Sequence, residues 1–155
     1  RGPENVWGSA ATGAALALLT VLPAAPVSLL LIGFAASFAA KLADTCGSEI
    51  GKRWGRHTLL ITSLRPVPAG TEGAISAEGT AASLAGSALM AALMLALGLL
   101  AGSGAWLLVT LVGLGATLIE SLIGASFQQR WGWLSNELVN GLQTAIAALL
   151  AMAFS

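Results

Sequence analysis

The chain has 155 residues, of which 56% are hydrophobic and 9% charged, with a mean hydropathy of +0.84; a soluble domain carries roughly 25% charged residues, so a one-domain soluble protein is a poor reading. Seven Lys and Arg balance seven Asp and Glu, which leaves no net field for a polyanion and excludes a basic nucleic-acid binder. The single cysteine, Cys46, excludes an internal disulfide, and the apolar content excludes disorder.

No charge lies between Glu4 and Lys41, between Glu78 and Glu120, or after Glu137. A membrane-crossing helix needs about 20 predominantly apolar residues, so these intervals hold two, two and one crossings. The first apolar stretch, about Val6 to Leu22, stops at Pro23 with Pro26 close behind, where proline removes a helix donor and favours a turn. Helix two, about Val27 to Ala43, carries Gly33, Ala36, Ser37 and Ala40 at spacings of three and four. Small residues in that pattern admit a neighbouring helix closely, so this helix is expected among partners.

From Asp44 to Glu78 runs the long polar segment, with eight of the fourteen charges, His57, and the run Arg65-Pro66-Val67-Pro68-Ala69-Gly70-Thr71-Glu72-Gly73. Its prolines and glycines forbid a continuous helix. Helix three is predicted over about Gly79 to Leu100, a Gly-Ser-Gly turn at 102–104, helix four over Ala105 to Gly124, a second polar stretch over Gln128 to Glu137, and helix five over Asn136 to Phe154.

The fold class is therefore all-α: a single integral membrane domain over 1–155, a polytopic bundle of about five transmembrane helices with one long cytoplasmic-side loop. Five crossings place the amino terminus, the 44–78 segment and the 125–136 segment on one side, with every Lys and Arg, and the positive-inside rule makes that side cytoplasmic. The polar segments 44–78 and 120–140 form the active face. The first residues are not a signal peptide, and because the chain begins at Arg1 rather than methionine, the expectation is an incomplete polytopic protein lacking upstream helices.

On a helix Asp44 and Ser48 are four apart, as are Thr45 and Glu49, which sets two acid–hydroxyl pairs on one surface. Carboxylates at a membrane boundary suit magnesium, which prefers oxygen ligands; alternatively Asp44 caps a helix and Glu49 pairs with Arg53. Glu120 interrupts helix four, with Gly113, Thr117 and Gly124 on its face. A charge there costs roughly 2.5–3.5 kcal/mol unless partnered or wet, so it reads as a metal or phosphate-water contact shared with Asp44, or as half of an ion pair. Asn136, Asn140 and Gln143, beside Glu137, either glue helices together or line a pocket facing Glu120. Glycines around Thr71-Glu72 allow amides to point at phosphate oxygens, with Lys52, Arg53, Arg56 and Arg65 nearby, or simply make a connector. There is no P-loop ending, and His57 lacks the companions a zinc site needs.

Four motifs in order span the chain: Ala43-Asp44-Thr45 with Ser48-Glu49-Ile50-Gly51; Arg65-Pro66-Val67-Pro68 with Gly70-Thr71-Glu72-Gly73-Ala74-Ile75-Ser76-Ala77-Glu78-Gly79-Thr80; Glu120-Ser121 with Ile123-Gly124-Ala125; and Asn136-Glu137 with Val139-Asn140. In these the chain resembles the integral membrane family of transmembrane protein 19 and phytyl-phosphate kinase, and looks most like its plant and cyanobacterial branch, although that branch often carries a basic residue where this chain has Ala69. The resemblance implies transfer of a phosphate from a nucleoside triphosphate, CTP favoured, to an isoprenoid monophosphate such as phytyl phosphate. It implies Mg2+ held by Asp44, Glu49 and Glu120, the catalytic acids. Nucleotide and phosphate contacts are then expected from Lys52, Arg65, Gly70, Thr71, Glu72, Gly73, Ser76, Asn136, Glu137 and Asn140, with the apolar helices taking the lipid tail. Nucleic acid is not a partner, and a homo-oligomer is left open. The setting implied is a cyanobacterial membrane or plastid envelope, with the active face cytoplasmic or stromal. A cytidylyltransferase-type lipid enzyme and an ion-coupled transporter are the rival readings.

Overall fold

The computed structural model describes residues 3–128 and 135–155. Five helices carry the fold: α1 (Pro3–Leu19), α2 (Val27–Trp54), α3 (Ala77–Ala96), α4 (Gly102–Ile123), prolonged by a π-helical turn over Gly124–Gln128, and α5 (Asn136–Ala153). Two short antiparallel strands, β1 (Leu59–Leu60) and β2 (Ala74–Ile75), pair Leu59 with Ile75 and Leu60 with Ala74. The all-helical membrane bundle expected from hydropathy is the fold. α2, α3 and α4 are each long and apolar enough to cross a membrane, whereas the apolar part of α1, Val6–Leu19, is shorter.

α2 is the axis of the bundle and packs against each of the other four helices. Apart from Leu30, its buried face is made of small residues, including Gly33, Ala36, Ser37 and Ala40. The core they join is alanine-rich, with Ala91 from α3, Val109 and Ala116 from α4, and Ala147 and Ala151 from α5. With lipid on the outside there is little hydrophobic drive to join helices, so close backbone approach and buried hydrogen bonds hold them. Ser87 Oγ donates to Thr110 O at 2.8 Å, and Trp106 Nε1 to Ala88 O at 3.1 Å, both between α3 and α4. Thr12 and Thr144 hydroxyls meet at 2.9 Å between α1 and α5.

Several helix ends differ from expectation: α3 runs Ala77–Ala96 rather than Gly79 to Leu100, and the Gly-Ser-Gly at 102–104, expected as a turn, is the first turn of α4. α1 stops at Leu19 rather than Leu22, and residues 20–25 form turns with Ala24 at φ 60°; Pro23 has no N–H to donate to Leu19 O and pushes Leu22 before it out of the helical region. α2 does not end at Ala43 but continues through Asp44 to Trp54. The change from apolar to charged residues marks where this helix leaves the membrane, not where it ends, because no proline interrupts it. At 28 residues and about 1.5 Å per residue it outreaches a hydrocarbon core of about 30 Å.

The polar extension of α2 is held by a seam with α3. A methyl group on Gly47 would overlap Ser83 Oγ and lie 3.2 Å from Gly79 O; one on Gly79 would lie 2.9 Å from Gly47 O. Farther along, Gly86 sits equally close to Leu42 O and Cys46 Sγ, at 3.1 and 3.0 Å from such a methyl. α3 itself starts where Ser76 Oγ accepts from Gly79 N at 3.1 Å, and α5 where Ser135 Oγ accepts from Leu138 N at 3.3 Å, each an N-cap that satisfies an otherwise orphaned donor.

Candidate functional site

The start of α1, the second half of α2, the 58–76 loop, the start of α3, the end of α4 and the start of α5 surround one cavity of about 870 Å3. These ends share one side of the bundle because the helices alternate in direction. Four carboxylates line the cavity, Asp44, Glu49, Glu72 and Glu120, against the ammonium groups of Lys41 and Lys52. The lining thus holds two more carboxylates than ammonium groups.

Lys41 organises its floor. Its Nζ donates to Asp44 Oδ2 at 2.7 Å and to Asn140 Oδ1 at 2.8 Å, joining α2 to α5. One turn deeper, Gln143 Nε2 donates to Ala40 O and to Thr117 Oγ1, each at 3.1 Å, and Thr117 Oγ1 donates to Gly113 O at 3.0 Å. The amide stripe on α5 therefore divides: Asn136 and Asn140 line the cavity, while fully buried Gln143 holds α2, α4 and α5 together. Such intramembrane hydrogen bonds contribute about 0.6–2 kcal/mol each.

Glu120 enters from α4, half-buried and within electrostatic reach of Asp44, Glu72 and Lys41. Glu49, one turn beyond Thr45 on α2, is exposed at the cavity wall and is not among Glu120's charged neighbours. The acid–hydroxyl pairing expected on α2 takes another form, since Thr45 Oγ1 donates to Lys41 O at 3.0 Å and Ser48 Oγ to Thr45 O at 3.2 Å. Nor does Asp44 cap a helix, lying ten residues inside one. Among the described residues no ion pair joins Glu49 to Arg53, whose guanidinium lies 5.4 Å from the centre of the Trp54 ring.

The glycine loop forms one wall. Thr71 N donates to Pro68 O at 3.2 Å and Ala74 N to Thr71 O at 3.0 Å, closing two successive turns. Gly70 and Gly73 occupy the third position of each with φ of 89° and 75°, values that favour glycine. The amides of Gly70, Glu72 and Gly73 remain outside these turn bonds. Gly73 rests directly on the end of α4: a methyl group there would overlap Ala125 Cβ and lie 2.6 Å from Ser121 O. Gly70, Thr71, Glu72, Gly73 and Ser76 all line the cavity.

Of the residues expected at the site, Arg65 and Glu137 are the two that do not line this cavity. Arg65 is exposed on the loop, its carbonyl accepting from Leu60 N at 2.9 Å; the Glu137 backbone is packed against Gly8 of α1. Lys41 is not singled out by sequence, although a lysine inside an apolar helix, three residues before an aspartate, carries the signal of a partnered intramembrane charge. Placement separates the basic residues: Lys52 lines the cavity and Arg65 does not.

Among the described residues no three His, Cys, Asp or Glu side chains form a group that could hold a metal ion. Magnesium, however, is usually held by one or two carboxylates and completes its shell with water and phosphate oxygens. Asp44 and Glu120 fit a cation that arrives with a phosphate ligand rather than one caged by protein.

Residues 1–148 match the family model described as integral membrane protein DUF92. The chain belongs to that family. It is 49% identical over 153 residues to an uncharacterized membrane protein of Synechocystis, covering 98% of this chain and 59% of the relative. It is 42% identical over 157 residues to Protein VTE6, chloroplastic, of Arabidopsis thaliana, covering 98% and 47%. An uncharacterized membrane protein of Methanocaldococcus jannaschii is 34% identical over 122 residues, covering 79% and 50%. The chain thus spans about half the length of these relatives. No solved structure matches it. As a DUF92 member the chain is an integral membrane protein, and the plant and cyanobacterial relatives agree with the branch its motifs resemble.

Proposed function

We propose that this domain is the phosphotransfer core of a membrane kinase that moves the γ-phosphate of a nucleoside triphosphate, CTP favoured, to an isoprenoid monophosphate such as phytyl phosphate. A phosphate oxygen of the lipid attacks the γ-phosphorus, the bond to the β–γ bridging oxygen breaks, and nucleoside diphosphate leaves with the electron pair. The acceptor is already ionised, so no strong general base is required; positioning and charge neutralisation carry the reaction. The observation that carries this reading is the polar cavity at one end of a membrane bundle, lined by Asp44 and Glu120 within electrostatic reach of each other, together with Lys41, Lys52 and the glycine turns.

In this reading Asp44 and Glu120 hold Mg2+, with Glu49 and Glu72 on the flanks, and the metal supplies neutralisation of the phosphate charge. Lys52 and the amides of Gly70, Glu72 and Gly73 contact phosphate oxygens. Lys41, tied to Asp44 and Asn140, fixes the carboxylate, and Asn136 offers an amide at the opposite wall. The relatives support a cyanobacterial or plastid membrane as the setting, and the positive-inside rule favours a cavity that faces cytoplasm or stroma. The test is product analysis with γ-labelled CTP and phytyl phosphate in liposomes containing the protein. Label in phytyl diphosphate together with release of CDP is expected; release of pyrophosphate with a cytidylylated lipid would make it a cytidylyltransferase, and substrate uptake without nucleotide consumption a transporter.

A further inference from the structure

The polar cavity accommodates a charged head, yet a lipid phosphate also brings an apolar chain. Beside the cavity lies a mostly apolar groove of about 480 Å3, with His57 at its loop end and walls of Leu59 and Ile75 of the strand pair, Ala77, Ala81 and Leu84 of α3, and Leu114 of α4. The two hollows share Ile75, Ser76 and Thr80 as lining, so a hydrophilic chamber and an apolar one adjoin across the first turns of α3. Ala77, Ala81 and Leu84 follow helical spacing down one face of α3, and the step from Ala77 to Leu84 descends about 10 Å. Leu114 lies six residues before Glu120 on the antiparallel α4, about 9 Å deeper than that acid. Both walls therefore lead from the polar end of the bundle toward the bilayer interior, and Leu84 is 42% exposed along the way.

We propose that this groove holds the isoprenoid chain of the lipid phosphate, with the chain crossing at Ser76 and Thr80 so that its phosphate enters the polar cavity, and that Ala81, Leu84 and Leu114 select for chain length. The inference rests on the lipid-phosphate reading above. Its shared border with the polar cavity singles out this face from the other exposed apolar surfaces of the bundle, because a ligand charged at one end and apolar at the other would occupy both hollows.

The experiment uses the full chain in liposomes, a phytyl phosphate analogue with a diazirine at the end of its chain, and the variant Ala81→Trp, a substitution at an exposed position. Photolabel is expected on residues 77–84 or on Leu114, competed by phytyl phosphate and lost in Ala81→Trp. The same variant should raise KM for phytyl phosphate at least about tenfold, as losing the burial of two methylenes does, while KM for CTP and turnover of isopentenyl phosphate stay unchanged. Label confined to other faces of the bundle, or undiminished in Ala81→Trp, overturns the assignment. So does disulfide dimerisation of Ala81→Cys that persists in excess phytyl phosphate, which would give the groove to a second copy of the chain. Competed label in the groove without phosphate transfer to any isoprenyl phosphate would sink the kinase reading and leave the groove standing.

Discussion

Asp44→Asn and Glu120→Gln should each lower turnover at least about a hundredfold, the scale of removing one charge-stabilising contact, while the bundle stays folded. The side-chain amide introduced by Asp44→Asn still accepts from Lys41, so the bridge from α2 to Asn140 survives while the negative charge that a hard cation requires is gone. Residues that act as a unit are non-additive, so the double variant should be scarcely worse than either single one. If the Lys41–Asp44 contact were only a structural ion pair, thermal unfolding would shift along with activity, because the partly buried Lys41 ammonium would lose its countercharge. Turnover in liposomes measured beside unfolding temperature separates the two, and two active, well-folded single variants would refute a shared metal site.

Gly73→Ala is expected to abolish activity where Gly70→Ala only reduces it. Both residues have positive φ, which costs a side-chain-bearing residue about 1–2 kcal/mol. They differ in surroundings: around Gly70 the nearest atoms to an added methyl belong to Lys52 at 3.9 Å, whereas at Gly73 the methyl would overlap Ala125 and lie 2.8 Å from its backbone nitrogen. Backbone does not yield as a side chain does, so the loop carrying Thr71 and Glu72 must lift off α4, and overpacking of this kind costs a further 1–3 kcal/mol or so. Activity of the two variants, with limited proteolysis of the loop as a structural readout, is the check; equal losses at both positions would mean that contact with α4 does not position the loop.

Hydropathy and proline placement make the helices legible: the charge-free intervals and the break at Pro23 and Pro26 yield five helices in order. Helix ends are less legible. The boundary at Asp44 reads as the end of helix two, because charge reports the bilayer surface while helicity depends on backbone bonds and on packing, and α2 keeps both through Gly47 and Gly51 by lying on α3. The strand pair escapes notice because two-residue strands carry no alternation to detect. At the site, acids separated by 76 positions can be brought together on topology alone, since Asp44 and Glu120 fall at the same ends of antiparallel crossings. Lys41 is missed because its importance lies in a partner on α5, and Arg65 is included for its charge although its position on the loop carries it outward. The dual meaning of the α5 amides, pocket or glue, is divided only by geometry: one turn of helix separates Asn140 at the cavity from Gln143 in the core.

The glycine seam between α2 and α3 also has a mechanical meaning. Where helices touch through long side chains, rotamer changes act as springs and the pair can open or slide by fractions of an ångström. Where backbone meets backbone, as at Gly47 and Gly79, there is no spring, and the extension of α2 and the first turns of α3 behave as one stiff beam anchored in the membrane. Bilayer thickening or thinning, which helices accommodate by tilting, then swings Asp44, Glu49 and the Ser76–Thr80 threshold together, keeping their spacing on the beam constant while the lipid around them changes.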